Sequence, residues 1–102
     1  MSAPRNIIYI MREDAVPPRL KIGVTGNLGR RLADLRRHRK ALTLIASFGG
    51  TEKMERQIHK LCALWRIRGE WFADCPEVMA ILDDVIACRR LRGTDRQKMK
   101  MG

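Results

Sequence analysis

Five side chains in this sequence are of the types that phosphodiester hydrolysis needs: Tyr9, Lys21, Arg31, Glu55 and His59. That reaction asks a protein for a carboxylate to hold a divalent cation and for cations to balance the charge of the transition state. It also needs a group that orients or deprotonates water. Each residue alone has an ordinary explanation. A helical glutamate is commonly exposed or paired, and Glu55 to His59 has the spacing of a local i,i+4 contact. A strand tyrosine is commonly core, and an ion pair from Arg31 to Asp34 would be worth roughly 0–1 kcal/mol. The chemistry therefore depends on whether the fold brings the five together.

Two strands and a turn must position the first three. Residues 6–12 are short, apolar and β-branched, which suits a buried strand. Pro17 and Pro18 place a loop after it, and residues 20–24 make a second strand, so the pair reads as an antiparallel hairpin. By the period-two rule Ile8 and Ile10 share one face with Leu20, Ile22 and Val24 matching them. Tyr9, Lys21 and Gly23 then fall on the other face. Gly23, Gly26 and Gly29 punctuate the turn into a helix that Thr25 or Asn27 can cap. Leu28, Leu32 and Leu35 form its apolar stripe. At about 100° per residue, Arg31 sits at the edge of that stripe and Arg30 points away.

The helix closes on Arg36-Arg37-His38-Arg39-Lys40. Cations complement the negative end of a helix, but five consecutive basic positions exceed that need and suit phosphate contacts through Arg36, Arg37, Arg39 and Lys40. Residues 42–48 read as a third strand stopped by Gly49-Gly50. Thr51 caps the next helix, in which Met54, Ile58, Leu61 and Trp65 form a core-facing stripe bordered by Glu55, His59, Cys62 and Arg66, with Gly69 ending it. Gly69-Glu70-Trp71-Phe72 is a compact aromatic element, and Pro76 opens a last helix packed through Val78, Leu82 and Val85. From Gly93 the chain is polar, basic and unpatterned, so residues 93–102 read as a flexible tail on a single domain spanning residues 1–92.

The chain has 102 residues, with 21 Lys and Arg against 11 Asp and Glu, a net charge of +10. That excess gives a field that attracts polyanions, of which phosphate backbones are the commonest. A hydrophobic fraction of 45% is that of a globular chain. No apolar run approaches the ~18–20 residues of a membrane span, and the N-terminus lacks a secretion signal, so the expectation is a cytoplasmic protein without a membrane partner. Cys62, Cys75 and Cys88 include no CxxC pair. They read as buried or idle thiols rather than as a zinc knuckle or a disulfide framework.

The motifs carry a resemblance. Ile8-Tyr9-Ile10, then Lys21-Ile22-Gly23-Val24-Thr25, then Arg31 eight residues past the glycine, resemble the GIY-YIG nuclease superfamily. Glu55-x-x-x-His59 and Gly69-Glu70-Trp71-Phe72 look like its small branch of meiotically up-regulated gene and phage open-reading-frame domains. Ile7 stands in place of the first motif's glycine, and Lys21 in place of the second motif's tyrosine. The resemblance covers about residues 6–73 and implies an α+β fold. Its core is β-β-α-β-α, a three-stranded antiparallel sheet flanked by helices, here with an extra C-terminal helix.

It also implies a metal-dependent endonuclease acting on DNA. Glu55 would hold a divalent cation, magnesium above all, and Arg31 would bind the scissile phosphate. Tyr9 would orient or deprotonate water, Lys21 would support the nucleophile or clamp phosphate, and His59 would relay a proton or hold the carboxylate. Glu70 takes a structural role beside Trp71 and Phe72, with a contribution to the site as the alternative. The competing expectation is a non-catalytic nucleic-acid-binding module with the same fold and charge.

Overall fold

The computed structural model describes residues 6–38 and 41–101, with side chains described through residue 88. The elements run β1 (Ile7–Glu13), β2 (Arg19–Thr25), α1 (Leu28–His38), β3 (Leu42–Gly49), α2 (Glu52–Leu61), β4 (Arg66–Arg68), β5 (Trp71–Ala73) and α3 (Pro76–Met101). The strands form one antiparallel sheet in the order β3-β1-β2-β5-β4. The α+β class and the antiparallel hairpin at its centre are as the sequence implies. The sheet has five strands among the described residues rather than three, because the aromatic element and the residues before it pair as a short hairpin on the free edge of β2.

Period-two alternation sorts the sheet's residues into two layers of core. Ile8, Ile10, Leu20, Ile22 and Phe72 pack on one face against Ile58 of α2 and Val78 and Leu82 of α3. Tyr9, Met11, Leu42 and Trp71 lie on the other, covered by Leu28, Leu32 and Leu35 of α1. A bulge in β3 keeps both faces supplied. Ile10 is opposite Ala46 and Met11 opposite Leu44, so Ile45 is an extra residue that switches the face of the strand's second half.

Local chemistry sets the element ends. Asn27 caps α1, its side-chain oxygen accepting from Arg30 N at 3.0 Å, while Thr25 Oγ1 accepts from Asn27 N at 3.1 Å. Thr51 caps α2 through Met54 N at 3.1 Å. The sequence periodicity carries α2 on to Gly69, and the structure differs. The helix stops at Leu61, with Cys62 closing it onto Ile58 O and Lys60 O, and a 3-10 turn over Ala63–Trp65 leads into β4. Leu61 is therefore 58% exposed instead of core, and Arg66 belongs to a strand.

Gly69 sits in the β4–β5 turn with φ +53°, a left-handed conformation that costs a side-chain-bearing residue about 1–2 kcal/mol. The backbone of α3 is helical through residue 101, past Gly93, where the unpatterned composition suggests a tail. Its Arg, Gln, Lys and Met residues are good helix formers, and one glycine costs a helix only about 1 kcal/mol.

Candidate active site at the interrupted edge of β2

The site forms where the edge of β2 changes partner. β5 pairs with β2 only over Arg19 to Lys21, and Ile22 N donates to Glu70 O at 3.0 Å as the hairpin turns away. From there α2 covers the edge, and His59 Nε2 lies 2.8 Å from Ile22 O. A carbonyl can only accept, so Nε2 is the protonated nitrogen, and Nδ1 accepts from Arg66 Nη2 at 3.3 Å. Both ring nitrogens are thus engaged. His59 also tilts over Phe72, with ring centroids 5.0 Å apart, and ties α2 to the sheet.

Tyr9 and Gly23 are directly opposed in the β1–β2 ladder. The tyrosine ring fills the space above the glycine, where a Cβ would stand 2.5 Å from the hydroxyl oxygen and 3.0 Å from Glu70 Oε1. Arg31, at the margin of the α1 stripe, donates from Nη1 to the Tyr9 hydroxyl at 3.4 Å. Arg30 is exposed and Asp34 pairs with Arg37 at 3.7 Å, so the helical phasing separates the two arginines as the sequence implies. Lys21 Nζ meets Glu70 Oε1 at 3.0 Å and lies over the Trp71 ring, 5.2 Å from its centroid.

Glu55 enters from the first turn of α2 and is 9% exposed, and its Oε2 is buried without a hydrogen-bond partner. Burial is the main force raising its pKa above the ordinary glutamate value. The adjoining Glu70 carboxyl adds to this by its charge and by lying within hydrogen-bonding reach, and His59 opposes it. Tyr9 is likewise raised, by burial first and then by Glu70's charge, with Arg31 pulling the other way. The structure thus brings Tyr9, Lys21, Arg31, Glu55 and His59 to one edge. A polar cavity of about 220 Å³ opens beside them, lined by Asn6, Val24, Thr25, Gly26, Arg31 and Glu52.

Glu70 is the residue whose place the sequence left open between a structural role and the site. It does stand beside Trp71, but its carboxylate faces inward to Lys21, Glu55 and the Tyr9 hydroxyl. No periodicity could have found it, because it lies in a turn just ahead of a three-residue strand. The available signal was Gly69, whose left-handed turn aims the next residue. Of the proposed phosphate contacts, Arg36 and Arg37 are exposed in the last turn of α1, and Arg39 and Lys40 lie outside the described residues. Cys62 is buried and Cys88 exposed. Burial, with Cys75 nearby, pushes the Cys62 thiol upward and away from reactivity.

A small α+β domain thus gathers carboxylates, a phenol and cations at one sheet edge, the group types that phosphodiester chemistry uses. The chain belongs to the T5orf172 domain family, whose family model matches residues 6–91, and this is the GIY-YIG-like group of phage open-reading-frame and meiotically up-regulated gene domains. Searches of curated proteins and of solved structures found no match. The nuclease-like character of the family implies a nucleic-acid substrate. No helix of the described residues is long and apolar enough to cross a membrane.

Proposed function

We propose that this chain is a metal-dependent endonuclease that hydrolyses DNA phosphodiester bonds. The observation that supports it best is the orphaned oxygen of Glu55, a buried carboxylate atom with no protein partner beside a phenol and an arginine. Among the described residues no three or more of His, Cys, Asp and Glu come together as a metal cage. One or two carboxylates with retained waters suit magnesium, which dehydrates reluctantly, so Glu55 fits that ion as its anchoring ligand. Bound there, the ion would stabilise charge on the phosphoryl oxygens and acidify a water.

The remaining roles fall to the chain's own groups. Arg31 binds the scissile phosphate from the rim of the polar cavity and stabilises the charge that develops on it. Tyr9 keeps its proton at neutral pH, since its pKa is raised, so it orients the attacking water rather than deprotonating it. Lys21 supplies a second cation, held ready by Glu70 and Trp71. His59 holds α2, and with it Glu55, against β2 and is not free to relay a proton while both nitrogens are engaged.

The test is plasmid nicking across a magnesium titration with wild type, Glu55→Ala and Arg31→Ala side by side. Cleavage is expected to need the metal and to fall at least a hundredfold in both variants, each still folded by circular dichroism. Cutting that persists in Glu55→Ala would falsify this assignment. The exposed Arg36 and Arg37 favour a second reading, binding without cutting. It predicts DNA affinity indifferent to metal and to Glu55, but lowered when those arginines are neutralised.

A further inference from the structure

Glu70 lies between Lys21 and Glu55, and a counter-ion role for Lys21 does not explain that position. Its Oε1 meets Lys21 Nζ at 3.0 Å, with the lysine side chain only 13% exposed. The same carboxyl lies within hydrogen-bonding reach of Glu55. Two carboxylates held together repel each other unless a proton or a cation lies between them. In this pair the Glu55 side also carries the buried oxygen that no protein group satisfies, on a residue 9% exposed. Glu52 adds further negative charge from the N-terminal turn of α2. A chain of net charge +10 has thus gathered acidic groups where the pairing of β5 with β2 stops.

We propose that Glu70 is a second carboxylate ligand, sharing a divalent cation with Glu55 while remaining paired with Lys21. The inference rests on the metal-dependent reading above and adds to it a ligand from the β4–β5 turn. A carboxylate has two oxygens, so one stays on Lys21 while the other turns to the cation. Lys21 then neutralises the charge that the second ligand brings, and the turn at Gly69 becomes part of the metal site. Two carboxylates and retained waters are a donor set that magnesium and manganese both accept.

The experiment is a titration of the full chain with Mn2+ alone, without DNA, following the free-ion signal by electron paramagnetic resonance. Wild type, Glu55→Gln, Glu70→Gln, Lys21→Met and the double variant K21M/E70Q are compared. Glu70→Gln is expected to weaken Mn2+ binding tenfold or more, whereas Lys21→Met leaves it unchanged or tighter because a competing cation is gone. The double variant removes the ion pair as a unit, so it provides the measurement if Glu70→Gln alone unfolds, and it should show the same loss. Wild-type affinity in Glu70→Gln or in the double variant overturns the inference, as does a wild type that takes up no Mn2+. Plasmid cleavage measured alongside separates the two ideas. Cleavage by wild type with unchanged Mn2+ affinity in the double variant sinks the second ligand and leaves the nuclease. No cleavage, with affinity lost in both glutamate variants, sinks the nuclease and leaves the metal site.

Discussion

At Gly23 the space that a side chain would fill belongs to Tyr9, whose hydroxyl would stand 2.5 Å from an added Cβ. The φ angle imposes no glycine here, since Gly69 alone has positive φ among the described glycines, so the requirement is room and not backbone freedom. Gly23→Ala is expected to push the phenol out of line with Arg31 and to cost about 1–3 kcal/mol, as overpacking generally does. Thermal unfolding and cleavage measured on one sample would show both losses, and a variant with wild-type activity would refute the account. Glu55 gives a prediction of opposite sign. Its pKa is raised in the fold, so the unfolded chain ionises it at lower pH, near the ordinary 4.5. Folding is therefore unpenalised below that pH and loses stability as pH rises through the folded-state value. Glu55→Gln should raise the melting temperature relative to wild type at pH 7 to 8, with the difference vanishing near pH 4. A lower melting temperature at pH 7 would mean the carboxylate stabilises the fold.

At the scale of elements, the sheet and helices were legible where periodicity runs long enough to speak. β1 and β2 follow from alternation, and it placed Tyr9 and Gly23 on one face, where they prove to be direct partners. Arg31 followed from helical phasing against Leu28, Leu32 and Leu35. The stretch between the end of α2 and β5 was not legible, for a physical reason. Trp65 and Arg66 continue the spacing of α2, so nothing in the apolar pattern marks the stop at Leu61, which is made by backbone closure at Cys62. The pairing of β4 and β5 is likewise long-range, and three-residue strands are too short to show a period. Gly69 was read as a helix terminator and instead turns this hairpin, its left-handed φ being useful to either. Gly69→Ala should cost about 1–2 kcal/mol from the positive φ alone. It should also swing Glu70 off Lys21, which a change in the Trp71 fluorescence would report.

For the whole molecule, under the proposed function, the charge of +10 and the exposed end of α1 would bear on how DNA is approached rather than on how it is cut. Each phosphate contact releases counterions, so affinity falls with salt along a line whose slope counts the contacts. Neutralising Arg36 and Arg37 together should flatten that line by roughly 2 units, with the catalytic rate at saturating DNA unchanged. A slope that does not move would place the DNA elsewhere on the surface.

The interrupted edge of β2 has one further consequence. A strand whose amides and carbonyls face outward is a template for another chain, and proteins commonly cover such edges to stay apart. Here the cover is α2, the element that carries Glu55, and His59 closes it on Ile22 O. The helix that carries Glu55 therefore also shields the unpaired part of β2 from another strand. A substitution that loosens α2 is expected to bare that part of β2 and raise the tendency to aggregate, which ties the domain's solubility to the integrity of the candidate site.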